Sequence, residues 1–427
     1  MRPKPLRQCL RYFHKVYEFS QLVKGMQDSR CCHQVSVQTI FFSLFFLFLL
    51  RLPSFNRLEQ ELKEKPIQRL IPPSLGPLPS ADTLGYALER FDLQRLEQAL
   101  LCINRRLKRN KVYLGQGMAG VLVAAMDGVE LFHSQSRSCA QCLSRQVSKE
   151  VAGQKVQVTE YYHRAVFCQL VGVKPPAILG LELFQPGEGE YTVALRLFCR
   201  LMRCYRSYFQ VLVVDALYAK APFINQVKQA GIHLVVRLKD QRLALFKDAQ
   251  GLFAARPPSL EVAVEEGQVV RYWVWDEGQF ESWEGVEQPL RVVKLLKEVR
   301  QRLRRGKKWV VLVERREIWL VTTLPQEEVT ALEVGKIYHW RWGIENNGFR
   351  DLKSNWHMDH AFVHQPHAIN ALLLILALVF NLFYAFVYRN LRSFLGKGWT
   401  VAWVMQQFSE SYYTMRGAVH RVYWSSS

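Results

Sequence analysis

The chain has 427 residues, and 49% of them are hydrophobic, which is enough for about two or three domains with a full core. This composition excludes wholesale disorder and a fibrous repeat. Fifty-seven Lys and Arg against 37 Asp and Glu give a net charge of +20, which indicates a polyanionic partner, either nucleic acid or an anionic membrane. Nine cysteines without a secretory pattern argue against a disulfide framework and predict a reducing, cytoplasmic location.

Two apolar segments keep a membrane interpretation open for a protein this basic. Residues 39–50 are rich in Phe and Leu, but this segment is short for the ~20 residues of a spanning helix. Residues 371–388 are long enough, yet Asn381 interrupts them. We interpret the second segment as a core helix that is buried on all sides. The alternative, a basic membrane-associated protein, predicts that both segments partition into detergent.

The first part of the chain divides at a proline-rich segment. Residues 1–70 begin with basic residues and are not assigned to a domain. Four prolines and Gly76 within 71–79 predict an extended linker. Ser80 is a candidate N-cap for a helical module over 80–115 that ends in basic residues. Those residues, Arg105, Arg106, Lys108, Arg109 and Lys111, are either a solvated helix end or a DNA-phosphate contact.

From residue 118 the pattern changes to short apolar runs that alternate with helical spacing. The runs 121–125, 211–214 and 232–238 predict buried strands, so 118–242 reads as the first part of an α/β core that presents side chains at the carboxyl ends of its strands. Residues 326–395 are the predicted second part of that core. Residues 396–427 form a C-terminal tail.

The region between the two core parts, 243–325, reads as a β-rich insertion. Residues 309–313 and 318–322 are candidates for two paired strands around a turn at 314–317. Residues 291–308 contain nine Lys or Arg and one acid, Glu298. Such a composition is typical of a surface that faces phosphates.

Three carboxylates occur where a metal site would need them. Asp127 and Asp215 each follow an apolar run, although either one alone is typical of a helix cap or a turn, as in Asp127-Gly128. Arg341 follows Tyr338 by three residues and Glu345 follows Arg341 by four, and this spacing places all three on one helix face. Two aspartates at strand ends and a glutamate on a helix suit two divalent cations ~3.5–4 Å apart, because such ions need carboxylate oxygens from several elements.

The segments around these residues resemble a known family. They are MDG at Asp127, VLVVDALYAKAPF around Asp215 and YHWRWGIENNGFRDLK around Glu345. They are similar to the DDE insertion-sequence transposases, whose signature is Tyr, two residues, Arg, three residues, Glu, six residues and Lys. The resemblance covers about 80–390. It implies an α/β fold with a ribonuclease-H-like mixed sheet flanked by helices, a β-rich insertion before the glutamate and an N-terminal helical region.

The same resemblance implies the activity and its partners. Asp127, Asp215 and Glu345 would hold Mg²⁺, or Mn²⁺, which suits carboxylates equally. The protein would cut double-stranded DNA at the terminal repeats of a mobile element and join the 3′-hydroxyls to target DNA, with no small-molecule substrate. A homodimer would bring two ends together in a synaptic complex at the nucleoid. The alternative is an inactive DNA-binding relative, against which the three intact carboxylates argue.

Six residues are predicted to contact DNA: Tyr338, Arg341, Lys353, Arg350, Arg237 and Lys239. Lys353 departs from the signature, because seven residues separate it from Glu345 and a regular helix would turn it ~80° away from the Glu345 face. We expect a π-bulge near Asn346, Asn347 and Gly348 to restore its direction. An unbroken helix would instead give the lysine's role to Arg350 or to no residue. The neighbouring Trp340 and Trp342 are expected to pack in the core.

Two groups of residues raise the question of a further metal site. Cys139-Ala-Gln-Cys142, with His133 upstream and His163 and Cys168 downstream, has half of a zinc-ligand spacing, and the alternative is buried cysteines that simply pack. His357, His360, His364 and His367 are spaced for one helix face until Pro366 interrupts it. They would bind a metal, contact the DNA backbone or support the region beside Glu345.

Overall fold

The structure is a computed structural model that describes residues 5–31, 33–68, 70–71, 76–118, 120–151, 154–265, 268–287, 289–305, 308–391 and 398–414. Residues 72–75 of the linker predicted at 71–79, part of the basic segment 291–308 and the end of the predicted tail lie outside the residues described with their side chains.

The N-terminal quarter of the chain is helical. Its helices are α1 (Pro5–Tyr17), α2 (Phe19–Lys24), α3 (Val37–Leu49), α4 (Phe55–Leu62), α5 (Lys65–Gln68), α6 (Ala81–Leu88) and α7 (Leu93–Arg109). Ser80 caps α6 as predicted, because its side chain accepts the N–H of Thr83. Asp92 caps α7 in the same way through the N–H groups of Gln94 and Arg95.

The core is a mixed sheet flanked by helices. Its first part consists of β1 (Val123–Ser134), β2 (Leu143–Val151), β3 (Gln154–Val171), β4 (Ala177–Leu183), α8 (Glu190–Tyr205), β5 (Val211–Val214), α9 (Ala221–Gln229) and β6 (His233–Arg237). Strand β3 lies antiparallel to both β1 and β4, whereas β1, β5 and β6 run parallel to one another. The prediction of a ribonuclease-H-like mixed sheet is therefore confirmed.

The region after β6 continues the same sheet. It contains α10 (Ala244–Ala255), β7 (Ser259–Glu265), β8 (Gln268–Phe280), β9 (Leu290–Arg305) and β10 (Lys308–Thr322), and β10 pairs with β6. The predicted turn at 314–317 is wrong, since β10 is one continuous strand paired with β9. The charged residues there are accommodated because the neighbouring strand supplies partners, as when Arg315 donates to Glu298 at 2.8 Å.

The chain then returns to helices. They are α11 (Ala331–Trp340), a π-helical turn (Ile344–Phe349), α12 (Arg350–Trp356), α13 (Pro366–Asn390) and α14 (Val401–Thr414). Among the described residues, α13 is the helix long and apolar enough to cross a membrane, and 94% of its most apolar stretch is buried inside the protein. It packs against α3, α7 and β4. The interpretation of 371–388 as a core helix is confirmed.

Asn381 explains why a polar residue interrupts this apolar helix. Its Oδ1 accepts the backbone N–H of Ile178 at 2.8 Å, and its Nδ2 donates to the Ile178 carbonyl at 2.8 Å and to Asn104 Oδ1 at 2.9 Å. Ile178 lies in β4, which pairs with β3 alone in the sheet, so the outward backbone groups of β4 need other partners. The amide of Asn381 supplies them and fixes α13 against the sheet edge.

The basic end of α7 is largely used inside the protein. Arg105 donates to the Cys204 carbonyl at 2.8 Å, and Lys108 donates to the carbonyls of Ser207 and Tyr208 at 2.9 and 2.8 Å. Arg106 forms an ion pair with Glu18 at 2.6 Å. Three of the five basic residues considered as DNA contacts therefore hold α7 against the end of α8 and against α1.

We expect Asn381→Leu to lower the free energy of unfolding by about 1–3 kcal/mol, because Ile178 loses its acceptor in a buried site. Urea unfolding would measure this as a shift in midpoint. Asn390→Leu, which changes an exposed asparagine of the same helix, is the control and should alter stability little. Equal midpoints for the two variants would contradict the role given to Asn381.

Candidate active site

Strand register brings the two aspartates together. In the parallel pair of β1 and β5, Val123 lies opposite Val211 and Ala125 opposite Val213. This pairing ends at Ala125 and Val213, so Asp127 and Asp215 each lie two residues beyond the last paired residues, at the same end of the two strands. The two aspartates therefore occupy equivalent positions in this register.

The local setting of Asp127 differs from the prediction. Asp127 does not follow a strand but lies inside β1, where it is paired with Phe167 of β3. Asp127-Gly128 is therefore not a turn, because β3 continues to bind β1 after its pairing with β5 has ended. This antiparallel partner holds Asp127 on rigid backbone at the point where the parallel pairing stops.

Asp215 lies directly after β5, as predicted. It caps a short 3₁₀ turn (Ala216–Tyr218), and its Oδ1 accepts the Leu217 N–H at 2.7 Å. The bond fixes the carboxylate at the carboxyl end of the strand. The capping role that the sequence left open is thus compatible with a position in the site.

Glu345 approaches from the π-helical turn and shares a cation with Asp127. Arg341 donates Nη1 to Asp127 Oδ2 at 2.9 Å and forms an ion pair with Glu345 Oε1 at 2.6 Å. The Arg341 side chain is 9% exposed, whereas that of Glu345 is 46% exposed. Two of the three predicted carboxylates therefore already converge on one positive charge.

The electrostatics of Asp127 reflect this crowding. Burial raises the pKa of Asp127 to about 7, and although the Arg341 charge lowers the pKa, the negative charges of Glu345 and Glu190 raise it further. A carboxylate with acidic neighbours is stabilised in its charged form by a nearby cation. Hard divalent cations bind carboxylate oxygens, so the donor set of Asp127, Asp215 and Glu345 fits the Mg²⁺ that the resemblance implies.

The predicted DNA-contacting residues differ in how deeply they are buried. Tyr338 is buried, and its pKa is raised by burial but lowered by the nearby charges of Arg341 and Arg237. Arg237 ends β6. Lys353 is half-buried in α12. Lys239 and Arg350 are exposed.

The predicted break in the glutamate helix is present. Residues Ile344–Phe349 form a π-helical turn, and α12 follows directly from Arg350. The wider turn absorbs the extra residue between Glu345 and Lys353, because each π turn contains more residues than an α turn. The role of Lys353 itself stays a prediction.

The two tryptophans beside the signature differ in their surroundings. A Cβ atom on Gly172 would lie 2.4 Å from the Trp340 ring, so Trp340 packs closely against the backbone there. Trp342 is 43% exposed and its ring lies 5.7 Å from that of His339. The expectation of core packing holds for Trp340 and is wrong for Trp342, because the Trp342 side chain is exposed.

Comparison with known proteins gives one family match. Residues 178–382 match the family described as the transposase DDE domain. This match identifies residues 178–382 as a transposase DDE domain. The matched segment includes Asp215 and Glu345, and Asp127 lies upstream of it.

One solved structure is similar to this chain over most of the chain's length. It is the cryo-EM structure of a piggyBac transposase synaptic complex with hairpin DNA, with 10% sequence identity, a TM-score of 0.41, and coverage of 96% of this chain and 80% of that chain. A similarity at this level supports no conclusion about the site. No curated protein matches the transposase.

A fourth carboxylate, Glu190, belongs to the site and was missed in the sequence. It is the first residue of α8 and accepts the Tyr218 hydroxyl at 2.8 Å and Arg164 Nη2 at 2.7 Å. A Cβ atom on Gly128 would lie 2.4 Å from Glu190 Oε2. The signal in the sequence is only an acidic residue at the start of a helix, because its contacts come from distant elements.

The cysteine and histidine groups meet in one place. Cys139, Cys142, His163 and His364 have one potential ligand atom each, and these atoms all lie within 4.8 Å of one another. His133 and Cys168 are outside this set, since His133 is an exposed side chain beside Glu160 and Cys168 is buried in β3.

The four histidines at 357, 360, 364 and 367 do not share a helix face. Residues 357–365 form an irregular segment between α12 and α13, because His357 adopts a left-handed conformation that ends α12. His357 Nε2 lies 3.2 Å from the Arg51 carbonyl oxygen and His367 Nε2 lies 2.7 Å from that of Phe91. The ring of His360 lies 4.5 Å from that of Phe362.

Gly128→Ala should displace the Glu190 carboxylate and lower the free energy of unfolding by about 1–3 kcal/mol, as overpacking does in a tight site. Chemical unfolding would measure the change. Gly278→Ala is the matched control, since Gly278 also lies in a strand but a Cβ there meets nothing within 4 Å. A Gly128→Ala protein as stable as the control would show that Glu190 moves freely.

Proposed function

We propose that this transposase is an active enzyme that cuts DNA at the ends of a mobile element and joins the freed 3′-hydroxyls to target DNA. The supporting observation is that Asp127 in β1 and Glu345 in the π-helical turn share the Arg341 guanidinium, while Asp215 follows β5 at the same end of the paired strands β1 and β5. Such an arrangement of rigidly held carboxylates is what two-metal phosphoryl transfer uses.

The residues of the chain would divide the chemistry as follows. When bound, a pair of Mg²⁺ or Mn²⁺ ions supplies charge stabilisation for the attacking and leaving oxygens, and Asp127, Asp215 and Glu345 would hold it. Arg341 Nε is buried and has no hydrogen-bond partner in the part of the chain that the structure describes. We infer that this N–H donates to a DNA phosphate, for which the planar guanidinium is suited.

Other basic residues would bind the DNA strand beside the cut. Arg237 lies near Tyr338. Lys239 follows β6, and Arg350 and Lys353 lie on α12. Tyr338 is too deeply buried to stack on an unpaired base without movement, so we assign it a hydrogen bond to phosphate. Side chains that bind phosphate fix the position of DNA without reading its sequence.

The distal part of β9 and β10 offers a second DNA surface. In the antiparallel register, Arg300 lies opposite Val313 and Arg304 opposite Trp309, so these residues share one face of the ribbon. Trp309 is 69% exposed and Arg300 54% exposed. An exposed aromatic ring among guanidinium groups suits phosphate binding together with base stacking.

The assembly and location follow from this substrate. Double-stranded DNA, both the terminal repeats and the target, would be the partner, and no small molecule would be consumed. Two element ends must be held together for joining, so we propose a homodimer in the synaptic complex. The protein would act at the nucleoid in the cytoplasm.

Cleavage and joining should depend on the carboxylates. Asp215→Asn and Glu345→Gln should each reduce activity by more than about 100-fold, because even loss of a residue that only orients a metal ligand costs 10–100-fold. The measurement uses a labelled duplex taken from the DNA that flanks the gene, with Mg²⁺ and with chelator. Gel analysis separates nicked from joined products.

Asp92→Asn is the matched control. Asp92 and Asp215 both accept backbone N–H groups as caps, and asparagine retains this function, so a difference between the two variants reports the charge in the site. If the wild type binds DNA but does not cleave it, the protein is an inactive relative. If the wild type neither binds nor cleaves DNA, the proposal as a whole is contradicted.

The ribbon formed by β9 and β10 should contribute to DNA affinity. Arg304→Ala should weaken binding and reduce the slope of log affinity against log salt by about 1, whereas Trp309→Ala should weaken binding with the slope unchanged. Fluorescence anisotropy at several salt concentrations measures both quantities. The control is Arg95→Ala, at a 44% exposed arginine of α7. If all three variants bind DNA as the wild type does, the ribbon is not a DNA-binding surface.

A further inference from the structure

We propose that Cys139, Cys142, His163 and His364 form a structural zinc site that is separate from the carboxylates. Thiolate sulfurs and imidazole nitrogens in this combination are typical ligands of tetrahedral Zn²⁺, whereas carboxylate oxygens suit Mg²⁺. The two sites would therefore select different metals.

The distances within the cluster support a tetrahedron. With Zn–S near 2.3 Å and Zn–N near 2.0–2.1 Å, the edges of a tetrahedral site are about 3.8 Å between sulfurs and about 3.5 Å between sulfur and nitrogen. Cys139 Sγ lies 3.5 Å from Cys142 Sγ and 3.5 Å from His163 Nε2. Cys142 Sγ lies 3.4 Å from His163 Nε2 and 3.8 Å from His364 Nδ1. Each distance is within about 0.3 Å of its ideal edge.

The surroundings hold the ligands in place. Phe132, in β1, lies with its ring 5.7 Å from those of both His163 and His364, and the two imidazole rings are 5.4 Å apart. His163 is 2% exposed. Cys139 and Cys142 are free thiols in the turn between β1 and β2, and their 3.5 Å separation is far beyond the ~2.05 Å of a disulfide.

The chain connectivity gives the site its function. Cys142 and His364 are separated by 222 positions in the sequence. Cys142 lies directly before β2, in the turn that follows β1, and β1 carries Asp127. His364 lies in the segment that follows α12, and the π-helical turn before α12 contains Glu345. A bound zinc ion would thus link the turn after the strand of Asp127 to the segment that follows the glutamate helix. Zinc would stabilise the fold in the region that positions Glu345, without contact with DNA.

Metal analysis tests this directly. Full-length protein purified under reductant and passed through a weak chelator should contain about one zinc ion per chain. Cys142→Ser and His364→Asn should lose it. Cys199→Ser and His133→Asn are the matched controls, since Cys199 lies on α8 and His133 is exposed and outside the set. Both should retain the metal, as should Glu345→Gln, which separates this site from the catalytic one.

A spectroscopic measurement covers the case in which the variants do not fold. Wild-type protein stripped of metal and titrated with Co²⁺ should show the d–d bands of a tetrahedral site and a thiolate-to-cobalt charge-transfer band, and Zn²⁺ should displace the cobalt. The melting temperature should fall on removal of zinc and return when it is added, because metal binding couples to folding. Octahedral cobalt spectra, zinc no higher than in Cys142→Ser, or a Cys139–Cys142 disulfide under reductant would each overturn the proposal.

Discussion

The parallel register of β1 and β5 is the constraint on which the site depends. Val123 opposite Val211 and Ala125 opposite Val213 bring Asp127 and Asp215 to the same end of the paired strands, and a shift of one residue would send one of the two side chains to the other face of the sheet. The buried, apolar character of both strands fixes this register, because each side chain before the aspartates is packed in the core. The chemistry thus begins with the packing of hydrophobic residues that take no part in it.

The third carboxylate is held by a different kind of interaction. Glu345 lies on a π-helical turn, and Arg341 compensates its charge together with that of Asp127. The helix that follows, α12, is held in place by hydrogen bonds. Asp351 accepts the Tyr384 hydroxyl of α13 at 2.6 Å and the Trp356 indole N–H at 3.2 Å. Arg51 donates to the Asn355 carbonyl at 2.7 Å from the other side. Acidic groups that repel one another remain close because the backbone carrying them cannot move apart.

Local patterns predicted the elements of this arrangement but not all of its contacts. Three features could be predicted from a few neighbouring residues: Asp215 after a short apolar run, the extra residue before Lys353 and the polar residue Asn381 in an apolar helix. The roles of Glu190 and His364 could not be predicted in this way, because their partners lie far away along the chain. Glu190 contacts Gly128 and Tyr218, and His364 contacts Cys142. The continuous course of β10 was missed for the same reason, since β9 supplies the partners of its charged residues.

The same two elements carry both candidate metal sites, and this has a physical consequence. β1 runs from Asp127 towards the Cys139 turn, and the helix that begins near Glu345 leads to the segment of His364. At the carboxylate end, Arg341 offsets the repulsion between Asp127 in β1 and Glu345 in the glutamate helix. At the Cys/His end, a bound metal would join the turn after β1 to the segment that follows the glutamate helix. A structural ion would therefore act in the same direction as the ion pairs of Arg341, and the glutamate helix would keep its position whether or not the carboxylates hold a metal.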